Sequence, residues 1–495
     1  MRSFGWVAVM LGACTSDDGG TDDTLDPGFD ASVEAADVAG VAFVTVTADE
    51  AGEAWVTTMF AGDTPHLAMD AGSAEITVLG LRAGEVSELT VHFVGTAIDG
   101  TIDLEVTTIP PPTTAPAFTL TPATDEVCDP GGYVLFSYLG DNASGVGIVD
   151  RNGRYVWGVD SAVSTDGPAW AAAKVAQISR VRPGRDGHSV LWNYADPDRE
   201  EDYAGIVRMS IDGRSRVDTR TLNGHHDFVE LPDGRIGWLA YEFEDMPKAE
   251  VEDAPAEAPD PMHVAVDAIY EADEGLSTET GHDVVWSMLE DDYPIYWSGE
   301  QMRCMGEFLG DGTCEFSHGN SIMFRDSDEA YFAMFRWTDA LVKVPRSTGV
   351  LDWQMGGRDS ENDFSFAAED DAFHHSHMSD LWEGGMLVYD NRVEDDLPPG
   401  EGSRLLEYSY DESVLTCSVV WEYVSDRHDN LLGDVRRMPV AGCDNVIIAW
   451  SQQGRVVEMT RDGTEVWELS TPIGTVVSRV FYLPSLYDMS TGLAP

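Results

Sequence analysis

Histidine is scarce in this chain and is unevenly placed. The 495 residues contain 12 histidines, and half of them fall into three short clusters, which are His225-His226, His318 and His374-His375-Ser376-His377. Imidazoles exchange protons near neutral pH, act as nucleophiles and bind metals. The three clusters therefore predict a functional centre that is assembled from separate parts of the chain.

A cation and an amide accompany these histidines. Asn320 follows His318 by two residues, and Arg336 lies in the apolar run YFAMFRW, one strand–turn–strand hairpin further along the chain. Cations are rare here, because 29 Lys and Arg stand against 89 Asp and Glu, which leaves a formal net charge of −60. A guanidinium and N–H donors beside imidazoles suit a substrate with anionic oxygens.

The elements that position these residues are predicted to be β-strands. After residue 125 the chain shows little helical periodicity and repeats one phrase, which is a strand, a tight turn and a strand ending in Trp or another apolar residue. The phrase occurs at 147–160, 206–217, 284–288, 341–353, 405–423 and 456–469. One such hairpin per blade predicts a six-bladed β-propeller over 125–495, whose central channel gathers residues from different blades. A pair of stacked β-sandwiches is the alternative.

A smaller all-β domain is predicted before the propeller. Residues 31–109 consist of short runs with alternating apolar residues, separated by Gly and Asp turns. This pattern is typical of a β-sandwich of the fibronectin type III or immunoglobulin-like kind, and the run AEITVLGLRAGEVSELTVHFVG resembles a fibronectin type III corner. The proline-rich segment 110–124 is predicted to be the linker between the two domains.

Several motifs occur in an order that resembles a known family. The order is HHDF followed by LPDG, then SHGNS followed by an Arg, then a His before GGMLVYDN, with repeated hairpins of the form D-x-x-G-x-x-x-W. In this respect the chain resembles the arylsulfate sulfotransferase family of exported bacterial enzymes. The resemblance implies a propeller that moves a sulfuryl group from a phenyl sulfate donor to a phenolic acceptor, without the nucleotide sulfate donor PAPS, a cofactor or a metal.

The resemblance also implies a role for individual residues. His377 matches the histidine that is transiently sulfated, because it precedes the GGMLVYDN strand. His318 and Asn320 match a His-x-Asn element, and Arg336 matches the arginine of the following strand, so these residues are expected to contact the sulfuryl group. His226 matches the first histidine of the family.

Two of these assignments have competitors within the sequence. His225 competes with His226, and His374 and His375 compete with His377, because the family usually has Gln-His-Asp where this chain has Ser376-His377-Met378. His225 and His375 are otherwise expected to help bind the substrate. Aromatic side chains that could stack on a phenol are Trp297, Trp337 and Trp382.

Two other functional classes remain open at this stage. His226, His318 and His377 could form a three-histidine site of a metal-dependent hydrolase or lyase, although Arg336 disfavours a divalent cation beside it. The chain could also be a surface propeller that binds its ligands without catalysis. A nucleic-acid partner is disfavoured, since the chain contains three lysines. The sequence leaves oligomerisation open.

The N-terminus predicts export and lipid anchoring. Residues 1–13 combine an Arg, a short apolar run and the sequence LGAC, which is typical of a lipoprotein signal peptide. Cys14 would then be acylated, and the acidic residues 14–30 would form a tether. The protein is expected on the bacterial envelope, on the periplasmic or cell-surface side of the outer membrane, with the lipid as its contact with the membrane.

Export to an oxidising compartment makes disulfides plausible for the other cysteines. The spacing predicts a short loop closed by Cys304 and Cys314 and a cross-strand bridge between Cys417 and Cys443. Cys128 would then remain unpaired.

Overall fold

The computed structural model describes residues 28–140, 143–160, 177–195, 204–278, 280–297, 312–393 and 397–492. This part of the chain is all-β, and its helical segments are short 3-10 turns such as Lys248–Glu250 and Met489–Gly492. No helix in it is long and apolar enough to cross a membrane. The predicted signal peptide, the acylated Cys14 and most of the tether lie outside the described residues.

Two sheets form the N-terminal part. Its strands are β1 (Phe29–Ala35), β2 (Ala42–Ala48), β3 (Gly52–Thr58), β4 (Gly62–Asp63), β5 (Leu67–Met69), β6 (Gly72–Val78), β7 (Val86–Gly95) and β8 (Asp99–Thr107). The sheet orders are β1-β2-β6 and β4-β3-β7-β8, and β5 also pairs with β3. Buried and exposed residues alternate along β7, where Leu89, Val91 and Phe93 face a core that both sheets share. The first strand starts inside the predicted tether.

The rest of the described chain contains strands β9 to β35. They are β9 (Thr119–Thr121), β10 (Tyr133–Gly140), β11 (Ala143–Asp150), β12 (Tyr155–Asp160), β13 (Gln177–Pro183), β14 (Ser189–Ala195), β15 (Gly205–Ser210), β16 (Arg216–Arg220), β17 (Gly224–Glu230), β18 (Ile236–Met246), β19 (Met262–Ala272), β20 (Asp283–Ser287), β21 (Thr313–Glu315), β22 (Gly319–Arg325), β23 (Ala330–Phe335), β24 (Ala340–Pro345), β25 (Trp353–Gly356), β26 (Ser365–Phe366), β27 (His377–Trp382), β28 (Gly385–Asp390), β29 (Arg404–Asp411), β30 (Thr416–Val424), β31 (Asp434–Arg437), β32 (Val446–Trp450), β33 (Arg455–Met459), β34 (Glu465–Ser470) and β35 (Val476–Leu483).

In the described residues these strands form six sheets. The strand orders are β12-β11-β10-β35, β13-β14-β15-β16, β17-β18-β19-β20, β22-β23-β24-β25, β26-β30-β29-β28-β27 and β31-β32-β33-β34-β9, with β21 added to β19 in parallel. Middle strands such as β23 are buried along their whole length because neighbouring sheets cover both faces. This burial explains why they are continuous apolar runs in the sequence.

One edge strand of each sheet contacts the edge strands of its neighbours in a closed cycle. The cycle runs from β13 to β17, β22, β27, β31, β35 and back to β13. We call these six strands the inner strands. Two pairings join distant parts of the chain, because β35 pairs with β10 and β9 pairs with β34.

The repeated phrases of the sequence are the outer hairpins of these sheets. Five of them correspond to the antiparallel pairs β11-β12, β15-β16, β24-β25, β29-β30 and β33-β34. The shortest phrase, at 284–288, contains most of β20. Each of these six sheets therefore contains residues of one repeated phrase.

The predicted disulfide pattern is wrong in part. Cys128 is bonded to Cys443, with their Cα atoms 5.6 Å apart, whereas Cys417 is a free, buried cysteine on β30. The sequence brings Cys417 close to Cys443 only along the chain, and the fold places β30 in a different sheet from β31 and β32. Cys314 is disulfide-bonded, and Cys304 lies outside the described residues.

Candidate active site

The inner strands position the predicted site by interrupting their regular pairing. The register shifts between Ile178 and Val181 in β13, between His225 and Phe228 in β17, between Gly319 and Ser321 in β22, and between Met378 and Asp380 in β27. Such bulges re-aim the side chains next to them. Four successive inner strands are thus irregular at the level where the predicted site residues lie.

The backbone of three site histidines adopts the left-handed region. The φ angles are 47° for His226, 54° for His318 and 55° for His375. Residues with a Cβ avoid this region, and each such residue costs on the order of 1–3 kcal/mol. Strain of this kind gathers at functional sites, where neighbouring structure holds it in place. We call His225, His226, His318, His375 and His377 the histidine cluster.

His377 is buried and its ring has a defined orientation. Nδ1 of His377 lies 2.7 Å from Oδ1 of Asn391. The Asn391 amide is itself oriented, because its Nδ2 donates to the carbonyl oxygens of Asp429 and Leu432, both at 2.8 Å. Oδ1 can only accept, so Nδ1 of His377 carries the proton. The lone pair of the neutral ring is therefore on Nε2.

The surroundings of His377 keep its ring neutral. Burial, followed by the charges of Arg180 and Arg336, lowers the pKa of His377 well below that of an ordinary histidine. The hydrogen bond to Asn391 acts in the opposite direction but is weaker. At neutral pH His377 is therefore a neutral imidazole, and the charges of Arg180 and Arg336 act on it.

Arg336 is buried and has no carboxylate partner among the described residues. Its Nη2 donates to the carbonyl oxygen of Asn430 at 2.6 Å and to Oδ1 of the same residue at 2.9 Å. The guanidinium lies 4.6 Å from the ring of Trp337. Burial lowers the pKa of Arg336 to about 10, which still leaves it charged at neutral pH. In this part of the structure its Nε has no hydrogen-bond partner.

His318 is paired with a carboxylate. Nδ1 of His318 lies 2.9 Å from Oε2 of Glu315, and the ring packs against Trp337 at 4.8 Å between centroids. Burial alone would raise the pKa of Glu315, but His318, the Tyr241 hydroxyl and the Trp337 indole lower it to about 2. The Glu315 carboxylate is therefore ionised at neutral pH. The backbone N–H of Arg336 donates to the carbonyl oxygen of His318 at 3.1 Å, so the two predicted residues are neighbours.

The rings of His225 and His226 meet edge-on, with their centroids 5.1 Å apart. Nδ1 of His225 lies 2.9 Å from Nδ1 of His226, and Nε2 of His225 lies 3.0 Å from Oδ1 of Asp267. The ring of His226 lies 4.6 Å from that of His318, between centroids. Burial and the neighbouring His318 lower the pKa of His226 well below its ordinary value. Of the two residues, His226 is the one in contact with the other site histidines.

Asn320 is buried and uses its amide within the protein. Its Nδ2 donates to the carbonyl oxygen of Ser376 at 2.7 Å, and its Oδ1 accepts from the Ser321 hydroxyl at 2.9 Å. Ser376 immediately precedes His377, so Asn320 ties β22 to the start of β27. The direct contact with a sulfuryl group that the sequence predicts for Asn320 remains a prediction.

His375 and His374 differ in their surroundings. Burial lowers the pKa of His375 to about 4, and its ring meets that of Trp337 edge-on at 5.4 Å. His374 is half exposed, and its Nδ1 lies 3.1 Å from Oδ2 of Asp339. That hydrogen bond raises the pKa of His374. Of these two competitors with His377, only His375 is buried within the cluster.

The sequence analysis missed Arg180 on β13. Its backbone N–H donates to Oδ1 of Asn193 at 2.7 Å, and the Nδ2 of that asparagine donates to the carbonyl oxygen of His226 at 2.9 Å. The guanidinium donates to the carbonyl oxygens of Ser478 and Asn320, both at 3.3 Å. Burial lowers the pKa of Arg180 to about 9. Within the described chain Arg180, like Arg336, has no carboxylate at ion-pair distance. The strand sequence QISRVRP, which contains two of the chain's few cations, is the signal that could have revealed it.

A second group of buried charges on the inner strands was also missed. It consists of Arg182, Asp227, Asp434, Arg436 and Arg479, and we call it the arginine–aspartate layer. Asp227 pairs with Arg182 at 3.1 Å and with Arg479 at 2.5 Å, and Asp434 pairs with Arg436 at 2.9 Å. Burial alone would raise the pKa of Asp227, but the two arginines hold it far below its ordinary value.

The three predicted aromatic residues lie in different places. Trp337 contacts His318, Arg336 and His375 and so belongs to the site. Trp382 stacks on Arg437 at 3.7 Å and lines a separate cavity of about 920 Å³ together with Arg182, Arg436 and Phe481. Trp297 packs against an apolar core. Among the described residues, no group of three or more His, Cys, Asp or Glu side chains is arranged to hold a metal ion.

Comparisons with known proteins agree with the motifs. A family model described as Arylsulfotransferase (ASST) matches residues 130–454, which is well over half of the chain. A search of curated proteins found no significant match.

Solved structures show weaker similarities. A protein of unknown function from Bacteroides caccae has 12% sequence identity and a TM-score of 0.38, covering 70% of this chain and 97% of that chain. TolB from Acinetobacter baumannii has 10% identity and a TM-score of 0.38, with coverages of 80% and 79%. The β-propeller domain of Cps50 (Swd1) from Myceliophteria thermophila has 9% identity and a TM-score of 0.37, with coverages of 76% and 97%. These similarities are too weak to carry any property over to this chain.

Proposed function

The chain belongs to the arylsulfotransferase family, and on this premise we propose that it moves a sulfuryl group from a phenyl sulfate to a phenol through a sulfohistidine at His377. The observation that carries the proposal is a buried imidazole, kept neutral between two guanidiniums that have no carboxylate partner in the described residues. A neutral imidazole with its lone pair on Nε2 is a nucleophile, and unpaired buried cations favour an anionic ligand.

The first half of the reaction transfers the sulfuryl group to the enzyme. The anionic oxygens of a sulfate ester shield its sulfur, and Arg336 and Arg180 would neutralise them before attack. Nε2 of His377 then forms a bond to sulfur, and the S–O bond to the phenol breaks with its electron pair on oxygen. The Nδ1 proton stays on the hydrogen bond to Asn391, whose oxygen stabilises the positive ring of the sulfohistidine.

The second half reverses these steps with another phenol. The departing phenol leaves the site, and an acceptor phenol occupies the same position. Its oxygen attacks the sulfur of the sulfohistidine, and Nε2 of His377 regains its lone pair. Such a ping-pong reaction needs no nucleotide donor, because the enzyme itself stores the sulfuryl group. A phenol has a pKa of about 10, so both halves gain from a proton donor and acceptor near its oxygen.

We also propose a fold for the two parts of the chain and a location for the protein in the cell. The six sheets are proposed to be the blades of a β-propeller over 125–495, supported by the closed cycle of inner strands. The two N-terminal sheets are proposed to be a β-sandwich of the fibronectin type III kind within 31–109, followed by the linker 110–124. Residues 1–13 are proposed as a signal peptide, and Cys14 as a lipid anchor to the bacterial envelope.

The test is an assay of sulfuryl transfer between two phenols. Purified protein, treated with a chelator, is incubated with 4-nitrophenyl sulfate with and without a second phenol. We expect 4-nitrophenol release that depends on the acceptor. Without an acceptor, mass spectrometry is expected to find one sulfuryl group on the peptide that contains His377.

Two variants test whether His377 is the nucleophile in this assay. His377→Ala is expected to abolish both transfer and labelling, while His263→Ala, which removes an exposed histidine 2.7 Å from Asp245, changes neither. Labelling of His375 instead would move the nucleophile to that residue. Release into water that requires added metal, or no release from any aryl sulfate, would refute the proposed function.

A further inference from the structure

A carboxylate and two imidazoles form a chain that ends in the histidine cluster. Nε2 of His225 lies 3.0 Å from Oδ1 of Asp267, and Nδ1 of His225 lies 2.9 Å from Nδ1 of His226. Within the described residues, neither Nε2 of His225 nor Oδ1 of Asp267 has a hydrogen-bond partner, so the 3.0 Å contact between them is an ion-pair contact. Each is therefore the other's nearest partner of complementary charge.

Neighbouring residues hold this chain in place. The ring of His225 stacks on Tyr241, with centroids 3.7 Å apart. The other oxygen of Asp267 accepts hydrogen bonds from the Ser317 hydroxyl at 2.5 Å and from the Gly319 N–H at 2.8 Å. The carboxylate and the first imidazole are both buried. The Asp267–His225–His226 chain is therefore a buried arrangement held by its neighbours, unlike two adjacent histidines on a protein surface.

The short contact between the two imidazoles has a consequence for protons. Two Nδ1 atoms 2.9 Å apart can share only one proton, so one ring donates and the other accepts. If His225 donates, it carries a second proton on Nε2 toward Asp267, and His226 keeps its proton on Nε2. If His226 donates, its Nε2 carries a lone pair instead. The two states differ by one proton.

We propose that Asp267 and His225 form a proton relay through which His226 serves as general acid and general base for the phenol oxygen. The inference rests on the proposed function and deepens it. It makes His225 and Asp267 positioning residues, which act on the phenol only through His226. It also defines the substrate class, since the relay matters most for phenols that are poor leaving groups.

The relay is balanced over one catalytic cycle. When the S–O bond of the donor breaks, the Nε2 proton of His226 passes to the phenol oxygen. The Nδ1 proton of His225 then moves to Nδ1 of His226, which leaves His225 neutral with its Nε2 proton toward Asp267. The acceptor phenol gives its proton to Nε2 of His226, and the Nδ1 proton returns to His225. No proton is gained or lost overall.

Charges around His226 explain why a relay is needed. Burial is the largest cause that disfavours a positive charge on His226, followed by the electrostatic effects of His318, His225, Arg180 and His377. Tyr241, which stacks on His225, donates to Glu315, so that carboxylate also lies near the pair. The relay places the additional proton on His225 beside Asp267, which makes the carboxylate–imidazole pair neutral overall. His226 can then donate a proton while remaining an uncharged imidazole.

The kinetic test compares two donors with different leaving groups. We expect His225→Gln to reduce the rate of transfer from phenyl sulfate roughly 100-fold or more, because acid–base assistance contributes this much. The rate of transfer from 4-nitrophenyl sulfate should fall by less than about tenfold. Asp267→Asn keeps the shape of the side chain and one oxygen acceptor but removes the charge. It should likewise reduce transfer from phenyl sulfate much more than transfer from 4-nitrophenyl sulfate. The matched control is His263→Gln, which disrupts an exposed histidine–aspartate pair and should alter neither rate. An equal loss with both donors would overturn the relay.

A measurement without turnover separates this inference from the proposed function. In protein labelled with ¹⁵N-histidine, NMR reports which ring nitrogens carry protons. We expect His225 to be protonated at Nε2 in the intact chain, and the protonation of His226 to change in Asp267→Asn. If the intact protein transfers no sulfuryl group but shows this coupling, the proposed reaction and the role of the relay in it fail, and only the proton coupling between Asp267, His225 and His226 stands. If His226 is unaffected in Asp267→Asn, the relay is refuted even in an active enzyme.

Discussion

The histidine cluster and the arginine–aspartate layer both lie on or next to inner strands and share β17, but their charges are compensated differently. In the layer, every carboxylate is at ion-pair distance from a guanidinium, as Asp227 is from Arg182 and Arg479. At the cluster, Arg180 and Arg336 donate only to neutral oxygens in the described residues. Buried charge is therefore compensated in one region and left open in the other.

This difference separates structural from functional charge. A buried charge without a counter-ion is costly, and a fold retains it where a ligand supplies the missing partner. The backbone conformation is consistent with this division, because the three histidines with φ angles in the left-handed region belong to the histidine cluster. Removing a charge should therefore damage stability in the layer and activity at the cluster.

The largest effect is expected from Asp227→Asn in the arginine–aspartate layer. The change leaves Arg182 and Arg479 buried without their shared carboxylate, which should lower the free energy of unfolding by about 3–5 kcal/mol. Urea unfolding measures this loss. The control is Asp326→Asn, which removes a half-exposed partner of Arg185 and should cost less than about 1 kcal/mol. Equal small losses in both variants would mean that the layer is not held together by its charges.

A loss of activity without a loss of stability is expected from Arg336→Gln. Removing one preorganised donor to the sulfuryl oxygens should lower kcat/KM roughly 100- to 1,000-fold. Burial of the Arg336 charge is already unfavourable, as its pKa, lowered to about 10, indicates. The free energy of unfolding should therefore fall by no more than about 1 kcal/mol.

A matched control for Arg336 exists at the periphery. Arg461 lies 4.6 Å from the ring of Trp421, the same separation as between Arg336 and Trp337. Arg461→Gln should leave kcat/KM unchanged. If both variants lose activity to the same extent, or if Arg336→Gln unfolds like Asp227→Asn, the contrast between the two regions does not hold.

The smallest effect is expected from His374→Gln, at the edge of the cluster. Its hydrogen bond to Asp339 raises the pKa of His374 in the folded state. The stabilisation by this hydrogen bond is fully present below about pH 6.5, which is the pKa of a histidine in the unfolded chain. It is lost as the pH rises through the higher pKa of His374 in the folded protein. Because His374 is half exposed, we expect the variant to lose less than about 1 kcal/mol, and only in the acidic range.

Unfolding curves of both proteins across pH 5 to 9 measure this difference. Activity should be retained in His374→Gln, since the residue lies outside the buried cluster. A loss of stability that grows toward alkaline pH, or a loss of transfer comparable to that of Arg336→Gln, would place His374 among the site residues.

Much of the architecture could be predicted from local patterns. Hairpins such as β33-β34 are short-range structures, whose turn residues and alternating apolar residues are adjacent in sequence. The three histidine clusters likewise stand at the starts of β17, β22 and β27, where the sequence places them. The predicted pairing of Cys417 with Cys443 was wrong because the actual partner of Cys443 is Cys128, which is 315 residues away, and closeness along the chain says nothing about such a pair.

By itself, therefore, the sequence determined that this protein is all-β and that it repeats one hairpin, and it singled out imidazoles and one arginine that the fold brings together. The tertiary structure decided the surroundings of each of them. The Asn391 amide fixes the lone pair of His377, Asp267 lies behind His225, and Arg180 arrives from a strand that the sequence did not single out. Protonation and charge depend on partners a few ångströms away, and the fold brings these partners together from strands far apart in the chain.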